Sequence, residues 1–490
     1  MGGSQGGGEG HGVVVKHTAY YALARGLPGL LAFVALATFT RLLSPEDYGL
    51  YVLVLGWVGL LHAIGFQWLR SGLVRFLPAY PSSSPALRST VIVAFLGVVG
   101  ASTLLGATAA LIAPEGTRVW IGLGTVLLCA LAWFDLNQNL AAGTRRPVRY
   151  GVLTAARSAV FLVLGVTAAR AGWGGGGLVS AAAAAYVVPT LWTVRTDWAG
   201  VRLRYAERVV FRRILRYGLP LSASVGLTFV FGYSDRVLVG ELVGVAEAGL
   251  YAAGYDLAEQ ALALLIVVST TAAFPLAAAA FEAEGGEAAR AHLRQHVVVL
   301  AALLVPAALG LVMLAPEVAN VLLGPAFAPT ATVVVPWVAL SMLVGGFKTA
   351  YLDFAFQLGG RTRRLIAVAS VAAVVNVGLT VWWLARFGPV GAAYATFASY
   401  TVAAAMSWAW GRSVFPLPFP GSDLGRVAAA SALMVLVLAP LPPLLSVGGL
   451  GLKVATGAAV YVGGAVALDV LSVRTRGIAK LRRPPQDRIP

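Results

Sequence analysis

The sequence predicts an all-α integral membrane protein with about fourteen transmembrane helices. Three observations lead to this prediction: the composition, the lengths of the apolar segments and the distribution of basic residues. Of the 490 residues, 59% are hydrophobic and 11% are charged, and the mean hydropathy is +0.81. Soluble domains carry about 45–50% apolar and about 25% charged residues. A water-soluble fold could not bury this much apolar surface, so lipid is the expected solvent.

Fourteen apolar segments are each long enough to cross a hydrocarbon core of about 30 Å as a helix. The Gly and Pro residues inside them do not argue against helix, because membrane helices tolerate both. We expect the first segment to span the membrane rather than to be removed as a signal peptide. The predicted spans are residues 18–40, 48–68, 90–113, 118–140, 151–171, 176–194, 217–239, 249–275, 297–315, 331–352, 365–385, 391–411, 425–446 and 450–472.

The basic residues predict the orientation of these spans. If both termini lie in the cytoplasm, the cytoplasmic loops and tails hold 27 of the 36 Lys and Arg residues, and the outer loops hold six. This asymmetry is typical of cytoplasmic loops in membrane proteins. It also accounts for the net charge of +16 without a nucleic-acid partner. The single cysteine, Cys129, excludes an intramolecular disulfide and argues against a thiolate metal site, and no metal site is predicted.

The chain repeats itself. Gly-Leu-Pro at residues 26–28 recurs at 218–220, and Glu-Asp-Tyr-Gly-Leu-Tyr at 46–51 is similar to Ala-Glu-Ala-Gly-Leu-Tyr at 246–251. Each repeat holds an even number of spans, so both repeats start on the same side of the membrane. The sequence therefore predicts two parallel lobes related by a pseudo-twofold axis, with substrate bound between them.

This repeat predicts the domain organisation. The predicted parts are a disordered cytoplasmic N-terminus (1–17), an N-lobe (18–194), a basic cytoplasmic linker (195–216), a C-lobe (217–411), two additional helices (425–472) and a basic cytoplasmic tail (473–490).

The segments that carry the repeat also carry a family likeness. TRLLSPEDYGLY, followed by GFQWLRSGLVRFLP, resembles the start of Wzx-type oligosaccharide flippases of the multidrug/oligosaccharidyl-lipid/polysaccharide (MOP) exporter superfamily. Residues 215–259, and the later segments around Asn376 and 391–393, are similar to further parts of that family. The likeness covers residues 18–411 and continues loosely through the last two spans. It implies the fold of that superfamily, residence in a bacterial cytoplasmic membrane, and a substrate of undecaprenyl-diphosphate carrying an oligosaccharide for cell-surface polysaccharide.

Such a substrate needs cations inside the membrane, because its diphosphate is an anion and arginine binds phosphate through two parallel donors. Charged residues in membrane helices are costly and usually face a cavity. Arg25, Arg157 and Lys348 fall inside predicted spans and are candidate diphosphate contacts; the alternative is that each extends its charge to the inner interface. Arg41 and Arg236 lie at the outer ends of symmetry-related spans. They are candidate contacts on the outer side, or loop anchors paired with neighbouring carboxylates.

Polar side chains inside the spans are candidates for other roles. Asp135 and Asn139, in a polar patch on the fourth span, and Asn376 could bind sugar hydroxyls or bond to neighbouring helices. Asp256 and Glu259 lie three residues apart and share a helix face. Two carboxylates this close in a low dielectric favour uptake of a proton or Na⁺, so they are candidates for ion coupling; pairing with an arginine is the alternative.

The expected function is therefore transport and not catalysis. The run GWGGGG at 172–177 lacks the Lys-Ser/Thr of a phosphate-binding loop, so nothing suggests an ATPase, and no cofactor is expected. The expected partners are lipid-linked oligosaccharide and membrane lipid, with glycosyltransferases and a polysaccharide polymerase as further partners. Two alternatives stay open: a cation-coupled multidrug exporter of the same superfamily, and a non-transporting scaffold for polysaccharide assembly.

Overall fold

The computed structural model describes residues 27–80, 85–144 and 146–472 of the chain. Within these ranges the protein is helical and contains no β-strand. Twelve helices in the described part of the chain are long and apolar enough to cross a membrane. The helices are α1 (Leu27–Leu42), α2 (Pro45–Gly65), α3 (Gln67–Phe76), α4 (Ala86–Ile112), α5 (Glu115–Gly143), α6 (Pro147–Arg170), α7 (Gly174–Val187), α8 (Leu191–Asp197), α9 (Arg208–Leu242), α10 (Val245–Glu284), α11 (Gly286–Met313), α12 (Ala315–Leu322), α13 (Ala328–Phe347), α14 (Phe354–Leu358), α15 (Arg363–Phe387), α16 (Val390–Gly411), α17 (Gly421–Leu438) and α18 (Val447–Ala467).

In the described residues each of the fourteen predicted spans overlaps a helix, which confirms the predicted fold class; residues 18–26 of the first span lie outside the described residues. Twelve are the long apolar helices, and the other two are α1 and α16. The boundaries differ most at the starts of α11, which begins at Gly286, and of α9, which begins at Arg208, inside the predicted linker. Four arginines of that linker, at positions 208, 212, 213 and 216, therefore lie on the first turns of a membrane helix.

Prolines and short polar side chains set where the helices begin. At α2 the hydroxyl of Ser44 accepts a hydrogen bond from the backbone N–H of Asp47, and Pro45 occupies the first turn. This arrangement satisfies an amide that the helix itself leaves unpaired. Pro147 occupies the equivalent position in α6, and Pro114 directly precedes α5.

The chain divides into two compact units, Met1–Gly249 and Leu250–Pro490. In the first unit α5 packs against α2, α3, α4, α6 and α7, while α9 packs along α2 and α3. Its apolar core includes the fully buried Leu73, Val91, Leu127 and Val179.

In the second unit α13 packs against α11 and α16, α15 pairs with α16, and α17 pairs with α18. A π-helical turn, Lys348–Leu352, connects α13 to α14. Turns of this kind are rare in proteins and often lie at functional sites. The pseudo-twofold relation between the repeats stays a prediction.

Candidate functional site

The interior of the first unit holds a polar cluster around Asp135, made of His62, Arg70, Asp135 and Asn139. Arg70 lies on α3 because α2 ends at Gly65 and the chain restarts as a separate short helix. Its Nη1 lies 3.2 Å from Oδ2 of Asp135 on α5. His62 Nε2 lies 3.6 Å from the same oxygen, and Asn139 Nδ2 donates to Oδ1 at 3.0 Å. The cluster therefore holds one carboxylate against one guanidinium.

Burial differs sharply across this cluster. The side chains of His62 and Asp135 are each 12% exposed, whereas the side chain of Arg70 is 36% exposed. Arginine has five N–H donors in a planar fork. With one nitrogen bound to Asp135, Arg70 keeps donors on its exposed side for an anion.

The rest of the predicted polar patch serves helix packing. Oδ1 of Asn137 accepts hydrogen bonds from Thr193 Oγ1 at 2.7 Å and from Trp198 Nε1 at 2.9 Å. Gln138 Nε2 donates to Thr154 Oγ1 on α6 at 2.9 Å. These contacts are the interhelical alternative named for the patch, and they hold α5 against α6 and against the α8 region.

Arg157 lies in the middle part of α6 and is partly buried. Its Nη1 donates to the hydroxyl of Tyr186 on α7 at 3.3 Å, and its guanidinium lies 5.4 Å from the centroid of that ring. Among the described residues, no carboxylate lies within ion-pair distance of Arg157. A cation inside a membrane helix without a carboxylate partner is expensive, which marks Arg157 as a binding candidate.

The other arginines predicted for the first unit have different environments. Arg25 lies outside the described residues. Arg41 is exposed, and its Nη1 donates to the carbonyl of Ala37 at 2.7 Å. Arg236 is 1% exposed; its Nη1 donates to the carbonyl of Gly232 at 3.1 Å and lies 3.8 Å from Asp235 Oδ1. Pairing with Asp235 was the structural alternative named for Arg236.

The predicted residues of the second unit lie on several helices. Lys348 pairs with Asp353, with 2.7 Å between Nζ and Oδ2. Asn376 is fully buried and donates to Thr396 Oγ1 at 3.4 Å, which joins α15 to α16. Asp256 and Glu259 are partly buried on α10. The coupling role proposed for these two carboxylates stays a prediction.

Sequence reasoning missed several charged residues that the structure brings together. Arg70 and His62 complete the cluster around Asp135. At the end of α8, Asp197 Oδ1 lies 2.6 Å from Arg149 Nη1 and 3.3 Å from Arg146 Nη1. The available signal for Asp197 was an acidic residue in an arginine-rich linker. Lys453, counted with the outer loops, is buried in α18 against Glu317.

The family profile described as "Polysaccharide biosynthesis protein" matches residues 38–332. The chain belongs to that family. The match covers more than half of the sequence and both sides of the repeat, and it confirms the resemblance drawn from the motifs. Among curated proteins, none matches the chain in sequence.

Three solved structures that share this fold represent two kinds of transporter. The structure titled lipid II flippase MurJ, inward closed conformation, has a TM-score of 0.77 and 12% identity, over 92% of this chain and 98% of that one. An inward-facing multidrug resistance MATE family transporter of the MOP superfamily has a TM-score of 0.58 and 17% identity, over 84% and 95%. An outward-facing MATE structure has a TM-score of 0.54 and 16% identity, over 85% and 96%. At these identities the likeness shows the fold alone.

Proposed function

We propose that this chain is a flippase that moves undecaprenyl-diphosphate-linked oligosaccharide across a bacterial cytoplasmic membrane by alternating access. The observation that carries the proposal is the match of the polysaccharide biosynthesis family over residues 38–332. The fold shared with a lipid II flippase over 92% of the chain supports it, because that protein is named for the movement of a lipid-linked substrate. Glycosyltransferases and a polymerase would supply and use such a substrate.

The chemistry of the first unit fits an anionic head group. Arg157 is a membrane-embedded cation without a carboxylate partner among the described residues, and Arg70 has an exposed edge beside Asp135. Arginine binds a diphosphate through parallel donors that lysine cannot reproduce. We assign Arg157 as the main head-group contact and Arg70 as a second one.

The test is transport in proteoliposomes that contain the purified protein and a polyprenyl-diphosphate oligosaccharide with a fluorescent sugar. The readout is the fraction of label that an impermeant reductant can reach over time. Arg157→Ala should lower the rate by about 10-fold or more, the equivalent of one charge-assisted hydrogen bond. Arg157→Lys should retain part of the activity, since the charge stays and the fork is lost.

The matched control is Arg170→Ala, which removes an exposed arginine at the far end of the same helix. It should transport as the unaltered protein does. Full activity of Arg157→Ala at normal protein level would remove Arg157 from the binding role. Export of cationic dyes without movement of the lipid-linked sugar would overturn the flippase assignment in favour of a multidrug exporter.

A further inference from the structure

The first unit contains a long apolar groove between α2 and α4, with α5 as its floor. Its volume is about 1100 Å³. Pockets for drug-sized ligands have volumes of about 300–1,000 Å³, so this groove exceeds that range. It is lined almost entirely by carbon, and its rims are large exposed side chains such as Trp57, Leu61 and Leu105.

Small residues create the groove. On α4 the lining positions include Ala94, Gly97 and Ala101, and a Cβ added at Gly97 would meet no atom within 4 Å. On α5, Gly124 lies in the floor, where an added Cβ would meet Val54 at 3.6 Å. Because α2 and α4 both pack against α5, the missing side-chain volume leaves an open channel along the helices.

The groove runs nearly the full thickness of a membrane. Its lining on α4 extends from Thr90 to Ala109, and at about 1.5 Å per helical residue this stretch measures about 28 Å. One end is bounded by Thr117 and Trp120, and the other by Glu207 and Arg208. A hydrocarbon core is about 30 Å thick. An occupant of this groove would therefore be an extended chain and not a compact ligand.

One end of the groove carries more positive than negative charge, because Arg208 and Arg212 outnumber Glu207 there. Arg208 lines it, and Arg212, one turn further along α9, lies on the same face. Arg208 is exposed, and among the described residues no carboxylate lies within ion-pair distance of it. This end belongs to the segment that the basic-residue count places in the cytoplasm, where a lipid-linked sugar would be loaded.

We infer that this groove binds the polyprenyl chain of a phosphorylated polyprenyl lipid, with its phosphate against Arg208. The inference rests on the proposed function, since that function supplies the polyprenyl substrate. A long, apolar and membrane-high channel fits an extended hydrocarbon. Arg208, which has no carboxylate partner among the described residues, fits the phosphate to which that hydrocarbon is attached. The surrounding lipid is as apolar as the groove, so selection of a long chain rests on van der Waals packing along the helices and on the phosphate contact at the mouth.

The chain offers a matched pair of variants for the test. Gly97 and Gly100 both lie exposed on α4, and an added Cβ meets nothing within 4 Å at either position. Only the first of the two lines the groove. Gly97→Leu should therefore block the groove, while Gly100→Leu should add the same side chain to the same helix and leave the groove open.

The experiment measures binding of undecaprenyl monophosphate to the purified full chain in nanodiscs of phosphatidylglycerol, by native mass spectrometry. Gly97→Leu should weaken binding at least fivefold, Gly100→Leu should leave it unchanged, and Arg208→Gln should weaken it less than Gly97→Leu does. Equal binding by the two glycine variants would overturn the inference. Release of the polyprenyl lipid by excess phosphatidylglycerol would also overturn it, because the groove would then hold ordinary bilayer lipid. Failure of the proposed function appears separately, as selective binding of the polyprenyl lipid without movement of its sugar.

Discussion

The Nζ atom of Lys348 lies 2.7 Å from Oδ2 of Asp353, at the two ends of the π-helical turn that follows α13. Ser407 on α16 donates its hydroxyl to the other oxygen of Asp353 at 2.8 Å. Lys348 is 9% exposed and Asp353 is 7% exposed. The pair therefore joins the π turn to α16 inside the second unit, and the charge of the lysine is buried against a carboxylate.

Removing the lysine should destabilise the protein strongly. Lys348→Met leaves the carboxylate of Asp353 buried without its cation, and breaking a buried pair in this way costs about 3–5 kcal/mol. Thermal unfolding of the detergent-purified protein, followed by size-exclusion chromatography, measures the loss. Arg361→Met, at an exposed position just after α14, is the control and should leave the transition unchanged. An unchanged transition in Lys348→Met would show that the pair contributes no stability.

Replacing both members should be milder than removing one. In Lys348→Met/Asp353→Leu no charge remains buried, and apolar replacement of a buried ion pair is often neutral. In the same measurement the double variant should unfold at a higher temperature than Lys348→Met. If the double variant is as unstable as Lys348→Met, the stabilisation comes from the hydrogen bond between Ser407 and Asp353 and not from the ion pair.

The spans could be predicted from the sequence because hydropathy is a local property. Every predicted span coincides with a helix, with shifts of a few residues at most ends. The larger shifts at the starts of α9 and α11 have a physical reason: the arginines on their first turns have low hydropathy but adopt helix readily. An apolar segment in the sequence therefore locates the part of a helix that lies in the membrane core, but the helix can continue beyond that segment.

The partners of the charged residues could not be predicted in the same way. Arg70 and Asp135 are 65 residues apart in sequence, and Lys453 and Glu317 are 136 residues apart. Their pairing depends on how helices pack, which no local pattern encodes. The partner of Lys348 is only five residues away, but the contact requires a π turn, and the sequence carries no signal for one.

Gly49 and Gly249, equivalent residues of the sequence repeat, should not tolerate a side chain. Both belong to the first unit, which ends at Gly249. A Cβ on Gly49 would lie 1.9 Å from the carbonyl oxygen of Val245, and a Cβ on Gly249 would lie 2.1 Å from that of Pro45. Backbone cannot move aside as a flexible side chain can, so overpacking here should cost at least about 1–3 kcal/mol.

The measurement is the yield of monodisperse protein and its unfolding temperature. Gly49→Ala and Gly249→Ala should each lower both quantities. Gly100→Ala is the control, because its Cβ meets no atom within 4 Å, and it should match or exceed the unaltered protein. Normal stability of both repeat variants would show that α2 and the start of α10 can move apart without a loss of folding free energy.

Arg70 and Asp135 should be energetically coupled. Contacting residues of opposite charge show interaction energies of about 0.5–3 kcal/mol in double-mutant cycles. The side chain of Arg70 is 36% exposed, so water screens the pair and the lower part of that range is expected. The cycle compares the free energies of unfolding of Arg70→Gln, Asp135→Asn and the double variant with that of the unaltered protein. Arg75→Gln combined with Asp135→Asn is the control cycle, since Arg75 is exposed on the same helix, and it should be additive.

The orientation of the chain should place the loop before α9 in the cytoplasm and the loop between α17 and α18 outside. Leu203 is 62% exposed in the first loop, and Leu445 is 57% exposed in the second. In a protein whose own Cys129 is replaced by alanine, Leu203→Cys should react with an impermeant maleimide only after the cells are opened. Leu445→Cys should react in intact cells. The reason is the excess of basic residues on one set of loops, which holds that set in the cytoplasm during insertion. Labelling of Leu203→Cys in intact cells would reverse the orientation, and with it the side from which Arg208 could load a lipid-linked sugar.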